Sequence, residues 1–292
     1  MLTGYILKGI GGFYYVKTPE GIIECRARGN FRKKDITPCV GDLVDISTEG
    51  DSLGYVINIH ERKNHFIRPP ISNVDTFVIV FSAKNPDPDF VFVDKLTVIA
   101  KKYGADVILC VNKSDLCDDD MVEKIKGIYE NSGFDVIITS AKDNTGIDEL
   151  TEKISNKLTA FCGFSGVGKS SILSRITGEE LETGDVSKKL KRGKHTTRCV
   201  ELLEYKENSF LADTPGFSNL ELSVMGIRKD DLEGLFPEFN KYLGDCYFTG
   251  CSHRKEKGCC IKDAVDNGDI SQERYSSYVE FYDILSKIKD WE

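Results

Sequence analysis

The sequence predicts a multidomain α/β protein: a small N-terminal β-barrel, a parallel sheet with helices on both faces, and a C-terminal helical module. Short alternating apolar runs between Gly, Asp and Pro turn signals indicate the barrel, over residues 1–68. Strand-like runs that alternate with helical patterns indicate the parallel sheet, over residues 69–220. Residues 221–292 are polar and helical in pattern and contain a cluster of cysteines.

Four alternating runs predict the strands of the barrel. They are GFYYVKT (12–18), GIIECRARG (21–29), GDLVDIST (41–48) and LGYVINIHE (53–61). Barrels of this size are often OB-folds, so the first part is predicted to be an OB-like domain.

Strands and helices follow one another in the second part, which is the order of a parallel sheet. The predicted strands lie in FVIVFSA (77–83), ADVILCVNKSD (105–115), FDVIITSAK (134–142), LTAFCGFSGVGKSS (158–171), CVELLEY (199–205) and SFLA (209–212). The predicted helices lie in VDKLTVIAKKYG (93–104), DDMVEKIKGIYENSG (119–133) and GIDELTEKISNK (146–157).

Composition narrows the class of protein. A chain of 292 residues with 40% hydrophobic and 29% charged residues is ordinary for a globular protein of two or three domains. The net charge of -8 argues against a protein that is basic overall, although local basic patches still decide nucleic-acid binding. No apolar run of eighteen residues and no signal-peptide pattern is present, so a cytoplasmic protein without membrane contact is expected.

The stretch GFSGVGKSS matches the phosphate-binding pattern G-x-x-x-x-G-K-[ST] in full. The backbone N–H groups of such a loop hold the β-phosphate, the lysine reaches the β- and γ-phosphates, and the serine hydroxyl binds Mg²⁺. A chance glycine-rich turn is the alternative, but the loop follows a predicted strand and precedes a helix. The predicted nucleotide-binding residues here are Gly163, Phe164, Ser165, Gly166, Val167, Gly168, Lys169, Ser170 and Ser171.

The stretch DTPG follows an apolar strand and predicts the second half of the phosphate site. Asp213 is placed to hold Mg²⁺, and the N–H of Gly216 is placed near the γ-phosphate. D-x-x-G alone is a common turn, so this prediction depends on the neighbouring phosphate loop.

Two further loops predict recognition of guanine. In NKSD, the carboxylate of Asp115 can accept from the guanine N1–H and exocyclic amine, a donor pair that adenine lacks. In TSAK, the N–H of Ala141 can donate to the guanine O6. An ordinary surface turn with capping residues is the alternative for NKSD. The predicted base-binding residues are Asn112, Lys113, Ser114, Asp115, Ser140, Ala141 and Lys142.

The base-binding loops precede the phosphate-binding loop, whereas an ordinary GTPase has the reverse order. A parallel sheet tolerates a different chain order when the termini lie at the surface and the joins are short. The helix and strand of residues 146–161 form such a join. The chain is therefore interpreted as one GTPase domain with permuted connections.

The chain contains, in this order, NKSD, TSAK, GFSGVGKSS, GKHTTR and DTPGF, and then a Cys/His cluster. With this order it resembles, over its whole length, the circularly permuted GTPases of the small ribosomal subunit, the RsgA or YjeQ type. The resemblance implies an OB-like barrel, a circularly permuted Ras-like P-loop GTPase domain with the order G4-G5-G1-G2-G3, and a zinc-binding module. It also implies GTP hydrolysis with Mg²⁺, binding to the 30S subunit and its 16S rRNA late in assembly, stimulation by the 30S subunit, and release. A monomer is expected.

The cysteine cluster has the spacing Cys246-x₄-Cys251-x-His253-x₅-Cys259. Three thiolates and one imidazole suit a closed, tetrahedral, structural zinc site. Cys260 is adjacent and competes with Cys259 on spacing alone; the resemblance, whose pattern has a single cysteine here, selects Cys259. Reduced cysteines around a core histidine are the alternative.

The stretch KKLKRGKHTTR (188–198) occupies the place of the first switch, between the phosphate-loop helix and the next strand. The resemblance selects Thr197 rather than Thr196 as the residue that binds Mg²⁺ and the γ-phosphate, together with Ser170 and Asp213. The cluster of basic residues in 188–198 indicates contact with phosphate, and a solvated loop is the alternative.

No glutamine follows the glycine of DTPG to orient the attacking water, because Phe217 stands there. His195 is the best candidate within the chain, since an imidazole can accept or donate near neutral pH. The resemblance favours a catalytic role for His195, beside Lys169 and Thr197. Contact of His195 with rRNA or solvent is the alternative.

A second basic patch, CRARGNFRKK (25–34), lies on a predicted barrel loop and suggests contact with a nucleic-acid backbone, with Phe31 stacking on a base. A charged hairpin with Phe31 in the core is the alternative. The rival function is a nucleic-acid-binding scaffold whose nucleotide is structural, and it differs from the GTPase in predicting no stimulation by the 30S subunit.

Overall fold

The computed structural model describes residues 1–28, 31, 36–48, 53–178, 200–214 and 220–288. Its N-terminal part is a closed five-stranded barrel with the strand order β1-β2-β3-β5-β4, in which β1 closes on β4 and β3 runs parallel to β5. The strands are β1 (Leu2–Ile10), β2 (Phe13–Thr18), β3 (Gly21–Ala27), β4 (Leu43–Thr48) and β5 (Gly54–Ile59). The predicted OB-like barrel is confirmed.

Strand β1 was not among the four predicted runs. Its pairing with β2 shifts register between Ile6 and Lys8, so the strict alternation of apolar residues is interrupted there. Gly4 is required in this strand because a Cβ at that position would lie 1.9 Å from the carbonyl oxygen of Lys17.

The central part is a six-stranded sheet with the order β10-β9-β8-β11-β13-β12. The strands are β8 (Thr76–Ser82), β9 (Asp106–Asn112), β10 (Asp135–Ile138), β11 (Leu158–Cys162), β12 (Leu202–Lys206) and β13 (Ser209–Asp213). All pairs are parallel except that edge strand β12 runs antiparallel to β13. The chain leaves β8 toward β10 and returns on the other side as β11, so the two directions diverge between β8 and β11. Ligands of open α/β sheets bind at such a divergence, outside the carboxyl ends of the strands.

Helices cover both faces of the sheet, as predicted. They are α1 (Phe90–Lys102), α2 (Asp119–Tyr129), α3 (Ile147–Lys153) and α4 (Lys169–Thr177). Alternate residues of each strand point to opposite faces. In β8, for example, Phe77 and Ile79 share a core with α1 and α2, whereas Val78 and Val80 share one with α3 and α4.

The C-terminal part packs on the face of the sheet covered by α1. It consists of short 3-10 turns, helix α5 (Cys260–Asp266) and helix α6 (Gln272–Leu285). Its apolar residues Phe236, Phe239 and Phe281 belong to the same core as α1. A short hairpin, β6 (His65–Ile67) and β7 (Pro70–Ser72), connects the barrel with the sheet. None of the helices in the described ranges is long and apolar enough to cross a bilayer.

A buried ionic network joins α1 to the C-terminal part. The guanidinium of Arg274 donates to Asp94 of α1 at 2.7 Å and to Glu238 at 2.6 Å, and all three side chains are at most 3% exposed. The hydroxyl of Tyr129 also donates to Asp94, at 3.0 Å. Although burial acts to lower it, the two carboxylates raise the pKa of Arg274, so the arginine remains charged.

Candidate nucleotide and metal sites

The predicted nucleotide-binding loops meet at the carboxyl edge of the sheet. Asn112 ends β9, Ser140 follows β10, Gly163 follows β11 directly, and Asp213 ends β13. Their strands lie on both sides of β8, where the chain direction diverges. The permuted chain therefore brings the base-binding and phosphate-binding loops to one place.

The phosphate loop is shaped by two close approaches that only glycine allows. A Cβ at Gly163 would lie 2.2 Å from the carbonyl oxygen of Val80, and one at Gly168 would lie 2.2 Å from Nδ2 of Asn112. Gly168 also has φ +91° and precedes the first residue of α4. The loop thus opens into a helix N-terminus, which favours bound anions.

Asn112 connects all three loops through its side-chain amide. Nδ2 donates to the carbonyl oxygen of Val167 in the phosphate loop at 2.8 Å. Oδ1 accepts from the N–H of Ala141 at 3.2 Å and from the hydroxyl of Thr139 at 3.3 Å. Asn112 is 2% exposed, so these bonds are shielded from water.

The side chains of Lys113 and Asp115 contact different loops of the site. Lys113 contacts the phosphate loop and Asp115 contacts the TSAK loop. Lys113 has φ +61°, and its Nζ donates to the carbonyl oxygen of Gly166 at 2.6 Å and to that of Asn85. Asp115 accepts from the hydroxyl of Ser140 at 3.0 Å. Partial desolvation acts to raise its pKa, but Ser140 and Lys142 together hold the pKa of Asp115 below its usual value. The carboxylate is therefore ionised at neutral pH, as an acceptor of guanine donors must be.

Lys169 and Asp213 form an ion pair at the phosphate end, and their side chains are only 12% and 15% exposed. Oxygen ligands suit Mg²⁺, and the hydroxyl of Ser170 and the carboxylate of Asp213 supply that kind of donor at this edge. The residues present therefore fit the ion. Thr214 is fixed beside them by donating to the carbonyl oxygen of Phe161 at 2.9 Å.

Two supporting contacts were not predicted. Phe164 stacks on Phe92 of α1, with ring centroids 3.7 Å apart. Arg175 of α4 donates through Nε to the carbonyl oxygen of Ala141 at 2.9 Å, which fixes the TSAK loop. The aromatic residue inside the phosphate loop was a signal for the first contact, whereas no local pattern marks the second.

The four predicted zinc ligands converge in the C-terminal part. Ligand atoms of Cys246, Cys251, His253 and Cys259 all lie within 4.8 Å of one another. Nδ1 of His253 is 3.5 Å from Sγ of Cys246 and 3.4 Å from Sγ of Cys259. Tetrahedral zinc with ordinary bond lengths places nitrogen and sulfur ligands roughly 3.5 Å apart, so the residues fit a zinc ion.

The surroundings orient the histidine of this cluster. Nε2 of His253 faces Glu233 Oε2 at 3.1 Å, a carboxylate partner typical of metal-binding histidines. Tyr275 and Tyr278 of α6 donate to the carbonyl oxygens of His253 and Ser252, at 2.8 and 3.1 Å. Glu233 was not predicted, because it lies outside the cysteine spacing.

Several predicted residues lie outside the described residues: His195, Thr196, Thr197, Gly216, Phe217, and the basic residues of 188–198. Their assigned roles stay predictions. Within the second basic patch, Phe31 packs against the barrel core, which favours the core alternative over base stacking. Arg26 lies over the ring of Phe13, 4.5 Å from its centroid.

The base-binding loops precede the phosphate loop in the chain, and all of them lie at the carboxyl edge of one sheet. This arrangement defines a circularly permuted P-loop GTPase. The chain belongs to the RsgA GTPase family. The family model for the RsgA GTPase matches residues 59–223, and the family model for the RsgA N-terminal domain matches residues 3–56. GTP hydrolysis by a P-loop GTPase, predicted from the motifs, is confirmed by this membership.

Curated relatives and solved structures agree with this assignment. The chain is 43% identical over 282 residues to the small ribosomal subunit biogenesis GTPase RsgA of Clostridium botulinum (strain Hall), with 96% of each chain covered. It is 45% identical over 279 residues to that of Clostridium beijerinckii, with 95% of each covered. YjeQ from Thermotoga maritima superimposes with TM-score 0.85 at 32% identity and 99% coverage of both chains. YloQ, a circularly permuted GTPase, gives TM-score 0.82 at 36% identity, with 99% of this chain and 96% of that chain covered.

Proposed function

We propose that this GTPase acts late in assembly of the small ribosomal subunit, binds the 30S particle through its 16S rRNA, hydrolyses GTP in response, and is then released. Its relatives are small ribosomal subunit biogenesis GTPases, which supports this proposal. We propose that it works in the cytoplasm, where its ribosomal partners are. We also propose that it is a monomer.

The observation that carries the nucleotide assignment is the triple connection made by Asn112. One amide holds the phosphate loop and both base-binding loops, so base and phosphate groups are bound in fixed relation. Asp115 selects guanine, Ala141 donates to O6, and Lys113 covers the ring. When the γ-phosphate is lost, the switch stretch 188–198 and the DTPG loop lose their contacts with it and are released.

At the phosphate end, bound GTP displaces Asp213 from Lys169. Lys169 would then pair with the β- and γ-phosphates, and Asp213, Ser170 and Thr197 would be the residues that hold Mg²⁺. When bound, Mg²⁺ would supply neutralisation of charge on the phosphates, and His195 would orient the attacking water.

Zinc bound by Cys246, Cys251, His253 and Cys259 stabilises the C-terminal module, by on the order of 10 kcal/mol in comparable small sites. Purified protein should hold about one equivalent of zinc. Cys251→Ser should lose it and loosen the module, while GDP still binds.

The decisive experiment is a multiple-turnover GTPase assay with and without purified 30S subunits. We expect strong stimulation by 30S and none by 50S subunits. Lys169→Ala is the control that assigns the turnover to this site. A rate that 30S subunits do not change would favour the rival function, a nucleic-acid-binding scaffold with a structural nucleotide.

A further inference from the structure

A fifth thiol lies beside the proposed zinc ligands. Sγ of Cys260 is 3.1 Å from Sγ of Cys246, although Cys260 is not one of the four residues whose ligand atoms converge. The thiol of Cys260 donates to the carbonyl oxygen of Tyr242 at 2.9 Å, which holds it in this position. The thiol of Cys260, which is not a proposed zinc ligand, therefore lies beside the proposed ligand Cys246.

This pair differs from the interior cysteines in accessibility. Cys246 and Cys260 are partly exposed, whereas Cys25, Cys39, Cys110 and Cys162 are buried. Burial raises the pKa of the interior thiols to about 11 or 12, which keeps them protonated and unreactive. A cysteine that binds zinc is instead held as the thiolate. An oxidant that reaches the molecule thus meets a thiolate with a neighbouring thiol at this site.

We propose that Cys246 and Cys260 form a redox-sensitive pair, in which oxidation to a disulfide removes one zinc ligand and releases the ion. This inference rests on the zinc binding proposed above. The oxidant class is a hydroperoxide, such as hydrogen peroxide.

The chemistry balances with the two thiols and one peroxide. The Cys246 thiolate attacks a peroxide oxygen, the O–O bond breaks, and the leaving hydroxide takes up a proton to become water. Cys260 then loses its proton and attacks the resulting sulfenic sulfur, the S–O bond breaks, and a second water forms with the S–S bond. The two sulfurs supply the two electrons that reduce the peroxide.

The spare thiol makes the loss of zinc reversible. A sulfenic acid that no thiol traps is oxidised further to the sulfinic acid, which thiol reductants do not restore. The neighbouring thiols of Cys251 and Cys259 are themselves proposed zinc ligands, whereas Cys260 is a neighbouring thiol that is not one. A disulfide is restored by a dithiol, after which Cys246 can bind zinc again.

The test uses zinc-loaded full-length protein, as parent, Cys260→Ser and the control Cys117→Ser. Cys117 is a partly exposed cysteine that is not part of the proposed metal site. Each protein is treated with hydrogen peroxide, zinc release is followed with a chromogenic chelator, and zinc rebinding is measured after dithiothreitol. Trypsin separates Cys246 and Cys251, in peptide 242–254, from Cys259 and Cys260, in peptide 258–262, so the cross-link can be mapped by fragmentation.

We expect the parent and Cys117→Ser to form the Cys246–Cys260 cross-link, release zinc and regain most of it on reduction. Cys260→Ser should release zinc but regain less than about half of it. A cross-link that excludes Cys260, or equal recovery in Cys260→Ser, would overturn the inference while leaving zinc binding intact. Protein purified without zinc would contradict the proposed zinc site and this inference together.

Discussion

Asn112 and Asp115 stand three residues apart and serve different parts of the site. Asn112 is buried and its side-chain amide bonds to the phosphate loop and to the TSAK loop, whereas Asp115 keeps a partly accessible carboxylate held by Ser140 and Lys142. The first residue therefore fixes the geometry of the loops, and the second is the acceptor that we propose for the base. This division predicts separable effects of substitution.

Asp115→Asn should weaken GTP binding by about 10- to 100-fold, because an amide donor would face the guanine donors. Binding of xanthosine triphosphate should improve, since its base offers an acceptor instead. Competition with a fluorescent guanine nucleotide measures both affinities. Asp118→Asn, at the cap of α2, is the matched control and should change neither. Unchanged GTP affinity in Asp115→Asn would refute its assigned role.

His195→Ala should bind GTP and 30S subunits nearly as the parent does but lose about 100-fold of the 30S-stimulated rate, because the water is no longer oriented. Lys194→Ala is the control for a loss of loop charge. Single-turnover hydrolysis on 30S subunits measures the effect. Intact stimulated turnover in His195→Ala would assign the water to a ribosomal group.

At the scale of elements, helix α1 has two functions that its sequence did not reveal. Phe92 supports the phosphate loop through Phe164, and Asp94 pairs with Arg274 in the last helix. Only Val93 lies between Phe92 and Asp94 in the sequence. The helix therefore physically connects the nucleotide site with the C-terminal module.

Arg274→Met should destabilise the protein by about 3–5 kcal/mol, because two buried carboxylates would lose their counter-charge. Urea unfolding followed by circular dichroism measures the free energy of unfolding. Lys126→Met removes an exposed partner of Glu123 on α2 and should cost less than about 1 kcal/mol. Adding Asp94→Asn and Glu238→Gln to Arg274→Met should recover part of the loss. A loss as small as that of Lys126→Met would contradict this account.

The sequence predicted most of the site because its motifs are local. A phosphate loop, NKSD and TSAK each need only neighbouring residues and a preceding strand. Arg274, Glu238 and Asp94 meet across 180 residues of chain, and nothing near Arg274 distinguishes it from a surface arginine. Strand β1 was missed for a different reason, since its register shift hides the alternation that predicts strands.

At the scale of the whole molecule, the permuted order gives both flanking parts direct covalent connections to the nucleotide site. The barrel leads through the β6–β7 hairpin into β8, and β13 with Asp213 leads toward the C-terminal module. Side chains also connect the barrel with edge strand β12 and the residue before it, through Lys17–Glu204 at 2.8 Å and Lys8–Glu201 at 3.0 Å. A change at the phosphates therefore has short routes to both ends of the molecule.

Replacing Arg26 and Arg28 with glutamine should weaken 30S binding and reduce the slope of log affinity against log salt by up to about 1.8, because fewer counterions are released. Binding titrations at several salt concentrations measure this slope. Lys124→Gln with Lys126→Gln removes the same charge from exposed positions on α2. If both double variants have the parental slope, the RNA contact lies elsewhere than on the barrel patch.

Synthesis of this chain proceeds from the barrel to the last helix, so Asp94 is made 180 residues before the arginine that neutralises it. Domains generally fold in order as they leave the ribosome, the N-terminal ones first. Here the buried carboxylate of α1 has no counter-charge until α6 has emerged, which makes early closure of that face unfavourable. We therefore expect a chain truncated before Arg274 to be degraded by cellular proteases faster than a chain that contains α6, because its buried Asp94 is left without a counter-charge.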